Sequence, residues 1–434
     1  MTDLHPSPLR RARRLRAALA VALVAVIAGG AAGIGLLLSN GDKAIPPSPT
    51  ATPPIPGDLA PHAVTERAFP SLTYGVHAFL WWNETMRTID LDNIRLMKFT
   101  HVKQRFSWST LEPVRGEWHW DWADGVVDEV NYRGLELVAR LDGPPDWAVA
   151  APDAPGNPPL DLAAWAEFCA TLAARYRGQI AAYQVWNEPN LTREWLGYAP
   201  DPGAYVTLLA ACAQAIRDAD PAAIVISAGL APTGTDLPEA IPDMDYLRQM
   251  YAAGAAPHFD VLGLNAPGYG NPPEMSPAEA EVAGFLRWMC FRHVEDMRAI
   301  MVEAGDAHKQ VAILELGWTT DPIHPDYAWH AVDEETQAAY LVGAYRYAAE
   351  HWRPWVGLII TIYIADISWT PDDEEYWWAV NIAGYDNGWQ GRPAYYQLSW
   401  MERYVDDTFI PARDPGAPDA VTVDPLPPRP GDEP

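Results

Sequence analysis

The chain has 434 residues, 49% of them hydrophobic and 20% charged, with 30 Lys and Arg against 57 Asp and Glu and a formal charge of −27. That composition excludes a disordered chain and supplies ample material for a large core, and the acidic excess argues against nucleic acid as a partner. Three cysteines make no disulfide framework and show no metal-site spacing, so Cys169, Cys212 and Cys290 read as small buried hydrophobes. Twenty tryptophans and 19 tyrosines exceed what such a core needs and suit a cleft that grips rings.

Residues 1–16 form a basic segment, with Arg10, Arg11, Arg13, Arg14 and Arg16 ahead of an uncharged apolar stretch at 17–38. As a helix that stretch reaches roughly 33 Å, enough for a hydrocarbon core of ~30 Å. It reads as an uncleaved single-pass anchor, with the arginines on the cytoplasmic side and everything after it outside. A cleaved signal peptide, and hence a secreted protein, is the competing reading, although such apolar regions run to only about 7–15 residues. Residues 39–68 read as a Pro-rich linker, with seven prolines between 44 and 62. At the other end, 411–434 reads as a disordered, acidic, Pro-rich tail. The folded unit is expected at 69–410.

Within that unit, short apolar or alternating runs fall at 73–79, 101–107, 135–141, 181–186, 223–228, 259–264, 310–314 and 357–364. Helical periodicity is clearest at 162–176, 205–218, 278–304 and 334–351. Eight strands alternating with helices predict an α/β fold, a closed (β/α)8 TIM barrel. An open doubly wound sheet would be expected to carry a glycine-rich phosphate turn, and no such turn is found. In a barrel, chemistry sits at the C-terminal strand ends.

Those ends are informative in chain order. The first strand ends near His77, which reads equally as a sugar contact or a structural histidine. The second holds Lys103 and Arg105 on one strand parity; either could orient a carboxylate, and a solvated rim pair is as good a reading. Phe106-Ser107-Trp108-Ser109 and Glu112-Pro113 follow it, and Asp142-Gly143-Pro144-Pro145-Asp146-Trp147 follows the third strand. The fourth runs into Asn187-Glu188-Pro189-Asn190. After the sixth comes Leu264-Asn265-Ala266-Pro267-Gly268-Tyr269, and the seventh ends in Glu315-Leu316-Gly317-Trp318. Strand parity puts Val311, Ile313 and Glu315 on one face, so Glu315 is expected to follow two residues that fill the lumen. A glutamate ending an apolar strand is costly unless paired or solvated. Alone, Glu188 reads as a turn residue and Glu315 as a rim salt bridge; two such glutamates after strands four and seven are harder to dismiss.

Across most of 69–410 this arrangement resembles clan A, the 4/7 superfamily of retaining glycoside hydrolases, and its cellulase-like and β-xylosidase-like members in particular. The resemblance implies Glu188 as acid/base, Glu315 as nucleophile and Asn187 as the amide that holds the sugar 2-hydroxyl. Many relatives carry a His near a Tyr after strand six, where this chain has Asn265; Tyr269 is the candidate hydrogen-bond partner of Glu315. Trp318 and Trp147 are the candidate stacking surfaces, with His77 and Arg105 as further substrate contacts. The expected partner is a carbohydrate, cleaved at an O-glycosidic bond without cofactor or metal. A barrel that binds glycan without turning it over is the alternative, since fold alone does not separate the two.

Overall fold

A computed structural model describes residues 64–149, 160–384, 388–414 and 425–426. The basic segment, the expected anchor and most of the linker and tail lie outside the described residues. Among the described residues no helix is long and apolar enough to cross a membrane.

Eight parallel strands close on themselves in sequence order: β1 (Thr73–His77), β2 (His101–Ser107), β3 (Glu136–Asp142), β4 (Ala182–Val185), β5 (Ile224–Ile226), β6 (Val261–Asn265), β7 (Gln310–Leu316) and β8 (Val356–Thr361). β8 returns to pair with β1 through Thr73↔Leu358 to Val76↔Thr361, which closes the cylinder and leaves its strands no free edge. A helix follows each strand: α1 (Glu84–Leu96), α2 (Asp121–Tyr132), α3 (Leu162–Arg175), α4 (Pro202–Ala219), α5 (Asp243–Ala252), α6 (Val294–Glu303), α7 (Glu334–His351) and α8 (Pro393–Trp400). Several start where the chemistry demands. The Asn83, Asp161, Asp201 and Asp333 side chains accept amide protons from the first turns of α1, α3, α4 and α7, and Pro202 follows Asp201 at the first helical position. The expected (β/α)8 barrel is therefore the observed one.

Three expectations change. The run at 278–304 is not one helix: Ser276 opens a short helix at Pro277–Val282, Gly284 ends it at φ +89°, and α6 begins only at Val294. The fold also starts before residue 69, because Val64 is buried and the Thr65 and Glu66 amides donate to the His308 carbonyl. Finally, Cys169 on α3 and Cys212 on α4 form a disulfide, with Cα atoms 5.5 Å apart. Three scattered cysteines gave no sign of it, because the pair comes from helices that meet only once β4 lies between them in sequence. Such a cross-link typically contributes roughly 2–4 kcal/mol. Cys290 is a buried free thiol, as expected.

Strand parity at β7 is also reversed. Val138, Ala182, Ile226, Val261, Ala312, Leu314, Leu358 and Ile360, drawn from six strands, form one apolar cluster with Phe69, and this is the lumen. Val311 and Ile313 belong instead to the larger core that contains the helices. By strict alternation Glu315 would point outward with them. Two irregularities redirect it: the β6–β7 register skips a residue between Leu264 and Asn265, and the β7–β8 register slips between Ile313 and Leu316. Such slips re-aim side chains at barrel rims.

Candidate active site

Glu188 and Glu315 do converge at the C-terminal mouth. The turn after β4 carries Trp186 and Glu188 at φ +72° and +41°, a left-handed backbone that neither residue type favours and that Pro189 makes less favourable still for Glu188. It persists because its surroundings hold it: the Trp186 amide donates to the Leu141 carbonyl, the Glu188 amide to that of Gly229, and the buried Trp186 ring nitrogen to that of Glu194. The Asn187 amide oxygen accepts from Gln184 Nε2 at 3.3 Å, which leaves its NH2 group to donate.

Glu315 is held by cations. Lys103 Nζ, fully buried beneath it, donates to its Oε1 at 3.3 Å and to the Leu314 carbonyl at 3.1 Å. Arg140 Nη1 stands 3.9 Å from the same oxygen. Arg105 does not reach a glutamate; it pairs with Asp142, whose other oxygen accepts from Arg140 Nε at 2.6 Å. Lys103, not Arg105, is thus the strand-two cation of the site. Asp142, which opens the Gly143-Pro144-Pro145 turn, is thus part of the charge network beneath the site. Burial would raise its pKa, but Arg140 and Arg105 hold it below the usual carboxylate range.

Burial and the Glu315 charge push Glu188 up to about 7, burial being the larger cause, while Arg193 Nη2, 3.6 Å from Oε2, opposes them. Burial likewise lowers Lys103 to about 8, against the pull of Glu315. Above both carboxylates Asn265 spans the gap, its Nδ2 lying 2.9 Å from Glu188 Oε1 and 3.3 Å from Glu315 Oε2.

The remaining candidates divide. His77 is buried beside the site, its ring stacked on Phe79 at 4.9 Å and facing Tyr363 at 5.3 Å, with neither nitrogen hydrogen-bonded. Burial and then Lys103, Arg140 and Arg105 hold it neutral, well below its ordinary pKa. Tyr269 does not contact Glu315: its hydroxyl donates to the Pro232 carbonyl, and its ring packs on Trp288 and the exposed Trp329. Trp318 is fully buried, its ring nitrogen on the Asn271 carbonyl, so it offers no stacking face. It lies so close beneath Gly268 that a Cβ there would come within 1.9 Å of the indole. Trp147 ties two loops together, its ring nitrogen on the Glu112 carbonyl and its ring edge-on to Trp108. Sequence reasoning missed Arg140, Arg193, Tyr363 and Phe79. Arg140 had a visible signal, a cation inside the apolar run Leu137-Val138-Ala139-Arg140-Leu141. Among the described residues no cluster of His, Cys, Asp and Glu could hold a metal ion.

The family model Glyco_hydro_42, described as Beta-galactosidase, matches residues 77–154. No curated protein sequence matches the chain. Among solved structures, a family 39 glycoside hydrolase from the gut symbiont Bacteroides cellulosilyticus WH2 superposes with a TM-score of 0.54 at 18% identity. The match covers 77% of this chain and 64% of that one, so this chain spans just under two thirds of that protein. A GH5_18 variant from Streptomyces cattleya, solved with Manb1-4GlcNAc, gives 0.55 at 16% identity over 76% of this chain and 79% of its own. A GH10 endoxylanase retrieved from a sugarcane soil metagenome gives 0.50 at 15%, over 75% and 96%. At these identities the structural likeness is one of fold. Fold, family-model match and the glutamates after β4 and β7 together make the chain similar to the (β/α)8 glycoside hydrolases of clan A. Within that class, the stretch from His77 into the β3 loop is the part that resembles the β-galactosidase family.

Proposed function

We propose that the chain is a retaining glycosidase that cleaves O-glycosidic bonds of oligo- or polysaccharides, with Glu188 as acid/base and Glu315 as nucleophile. The observation that carries this reading is the shared amide nitrogen of Asn265. Two oxygens bonded to one nitrogen at 2.9 and 3.3 Å can be no farther apart than the sum of those lengths. That is less than the ~6.5–9.5 Å that an inverting pair needs to admit water, and it fits the ~5–5.5 Å of a retaining pair.

The chemistry follows from the surroundings of each carboxyl. Glu188, pushed up to about 7, keeps a proton near neutrality and delivers it to the glycosidic oxygen as the C–O bond breaks. Glu315, aimed by Lys103 and Arg140, attacks the anomeric carbon and forms the glycosyl ester. Esterification removes the Glu315 charge, so Glu188 ionises more readily and deprotonates the water that cleaves the ester. Asn187 donates to the sugar 2-hydroxyl, and neutral His77, with Phe79 and Tyr363, lines the glycone side. A panel of aryl glycosides, β-galactosides included, tests the activity, and proton NMR of the first product is expected to show retained anomeric configuration. An inverted first product removes the covalent mechanism; binding of glycan with no turnover of any glycoside favours the non-catalytic reading.

We also propose that 17–38 remains as a single-pass anchor with the barrel outside the membrane. The Cys169–Cys212 disulfide supports an oxidising compartment. Protease added to intact cells is expected to release a disulfide-bonded fragment beginning within 44–62. A mature chain starting near residue 40 and free in the medium would overturn the anchor.

A further inference from the structure

The β6–β7 register runs residue for residue from Val261↔Gln310 to Leu264↔Ile313, then skips Leu314 and pairs Asn265 with Glu315. That slip brings the Asn265 side chain over the glutamate pair. Its NH2 group carries two protons, one for Glu188 Oε1 and one for Glu315 Oε2. Its Oδ1 is buried and without a hydrogen-bond partner, an arrangement a protein does not keep without compensation. A flip of the amide would turn the oxygen toward the Glu315 carboxylate and take the shared donor away from both glutamates. The backbone also makes room for the observed orientation: Oδ1 rests on Gly229, where a Cβ would lie 2.2 Å away. The Gly229 carbonyl in turn accepts the Glu188 amide at 3.0 Å. One glycine therefore anchors the acid/base backbone and seats the amide that spans the pair.

We propose that Asn265, cradled by Gly229, is a positioning residue that clamps the two glutamates with one amide and biases both toward their ionised forms. The proposal rests on the retaining-glycosidase reading and deepens it. Glu188 has to serve as an acid in one step and a base in the next, while burial and Glu315 both favour its protonated form. Facing it are Glu315 from β7, Lys103 from β2, Arg193 and Glu194 from its own loop, Tyr269 beyond β6 and Tyr363 beyond β8. Of the groups that favour its ionised form, Asn265 alone has no titration of its own, and it touches both carboxyls at once.

The test is the pH dependence of kcat/KM for an aryl glycoside that wild type hydrolyses, which reports the free enzyme's acid and base. Asn265→Ala removes a donor from each ionised carboxylate, so both limbs are expected to move to higher pH by about one unit, with kcat lowered. A folded variant that loses activity with both limbs unmoved shows a merely structural role and overturns the clamp. Gly229→Ala, which forces the amide aside, is expected to shift the limbs in the same direction. In the Asn265→Ala background it is expected to add no further shift, since the atoms nearest its methyl are those of the deleted amide. Equal shifts from Gly229→Ala with and without Asn265, or none from it alone, would also overturn the clamp. If wild type hydrolyses no glycoside, the functional reading falls, and 13C titration of labelled glutamate carboxyls still tests the clamp: Glu188 titrating no higher in Asn265→Ala than in wild type sinks it.

Discussion

Replacing Glu315 by Ala is expected to lower turnover of every substrate by roughly 10⁴-fold or more, however good the leaving group, because the proposed mechanism forms no glycosyl ester without it. An activated fluoro-sugar should label wild type at Glu315 and nowhere else. The variant is also expected to be less stable, which the rim position alone would not suggest. Glu315 is the anionic partner of Lys103, an ammonium with no exposed side-chain surface. Breaking a buried pair from one side costs at most about 3–5 kcal/mol. Lys103, already lowered to about 8, softens that cost by shedding its proton. The sign of the pH dependence follows: a lysine whose folded pKa lies below its unfolded value destabilises while charged. Without Glu315 its pKa falls further, so the deficit of Glu315→Ala should be largest on the acid side and shrink as pH rises toward 8. Adding Lys103→Met should restore much of the melting temperature and none of the activity. Full activity in a folded Glu315→Ala variant, or labelling at another carboxylate, would remove Glu315 from its role.

Glu188→Ala is expected to behave differently in both respects. A dinitrophenyl leaving group needs little protonation, so the ester still forms, but its hydrolysis lacks a base and slows by about 10²–10⁴-fold. Stopped-flow traces should show a burst followed by slow turnover. Azide, needing no deprotonation, should accelerate that turnover and yield a glycosyl azide of retained configuration. The alkaline limb near pH 7 in the wild-type profile should disappear. On stability the sign reverses. A carboxyl whose folded pKa is raised costs stability as pH rises from its unfolded value of 4.5 to about 7, so its removal should leave the protein at least as stable as wild type at neutral pH. A traceable burst in Glu315→Ala, or no azide response in Glu188→Ala, would exchange or abolish the two assignments.

Local apolar pattern was enough to read the barrel, and it singled out both glutamates as candidates. Strands and helices differ in apolar period, and eight alternations admit few other closed arrangements. A carboxylate at the end of an apolar strand is conspicuous because it is expensive, and Glu188 and Glu315 stood out for that reason. What it did not determine were the relations between strands. Parity along β7 pointed Glu315 inward through Val311 and Ile313, yet those residues pack against helices and Ala312 and Leu314 fill the lumen. The register slips that turn Glu315 into the mouth are properties of β6–β7 and β7–β8 pairs, invisible in either strand alone. The choice of Lys103 over Arg105 depended on which neighbour each met: Glu315 and Leu314 for one, Asp142 for the other. Trp318 follows Glu315 by three residues and still lies buried, because Gly268 lets the β6 loop close over it. The Cys169–Cys212 bridge and the amide of Asn265 on both glutamates are likewise contacts between segments far apart in the chain. Local pattern reports the cost of placing each residue in its own element; the partner that offsets that cost comes from another element, and only closure of the barrel brings the two together.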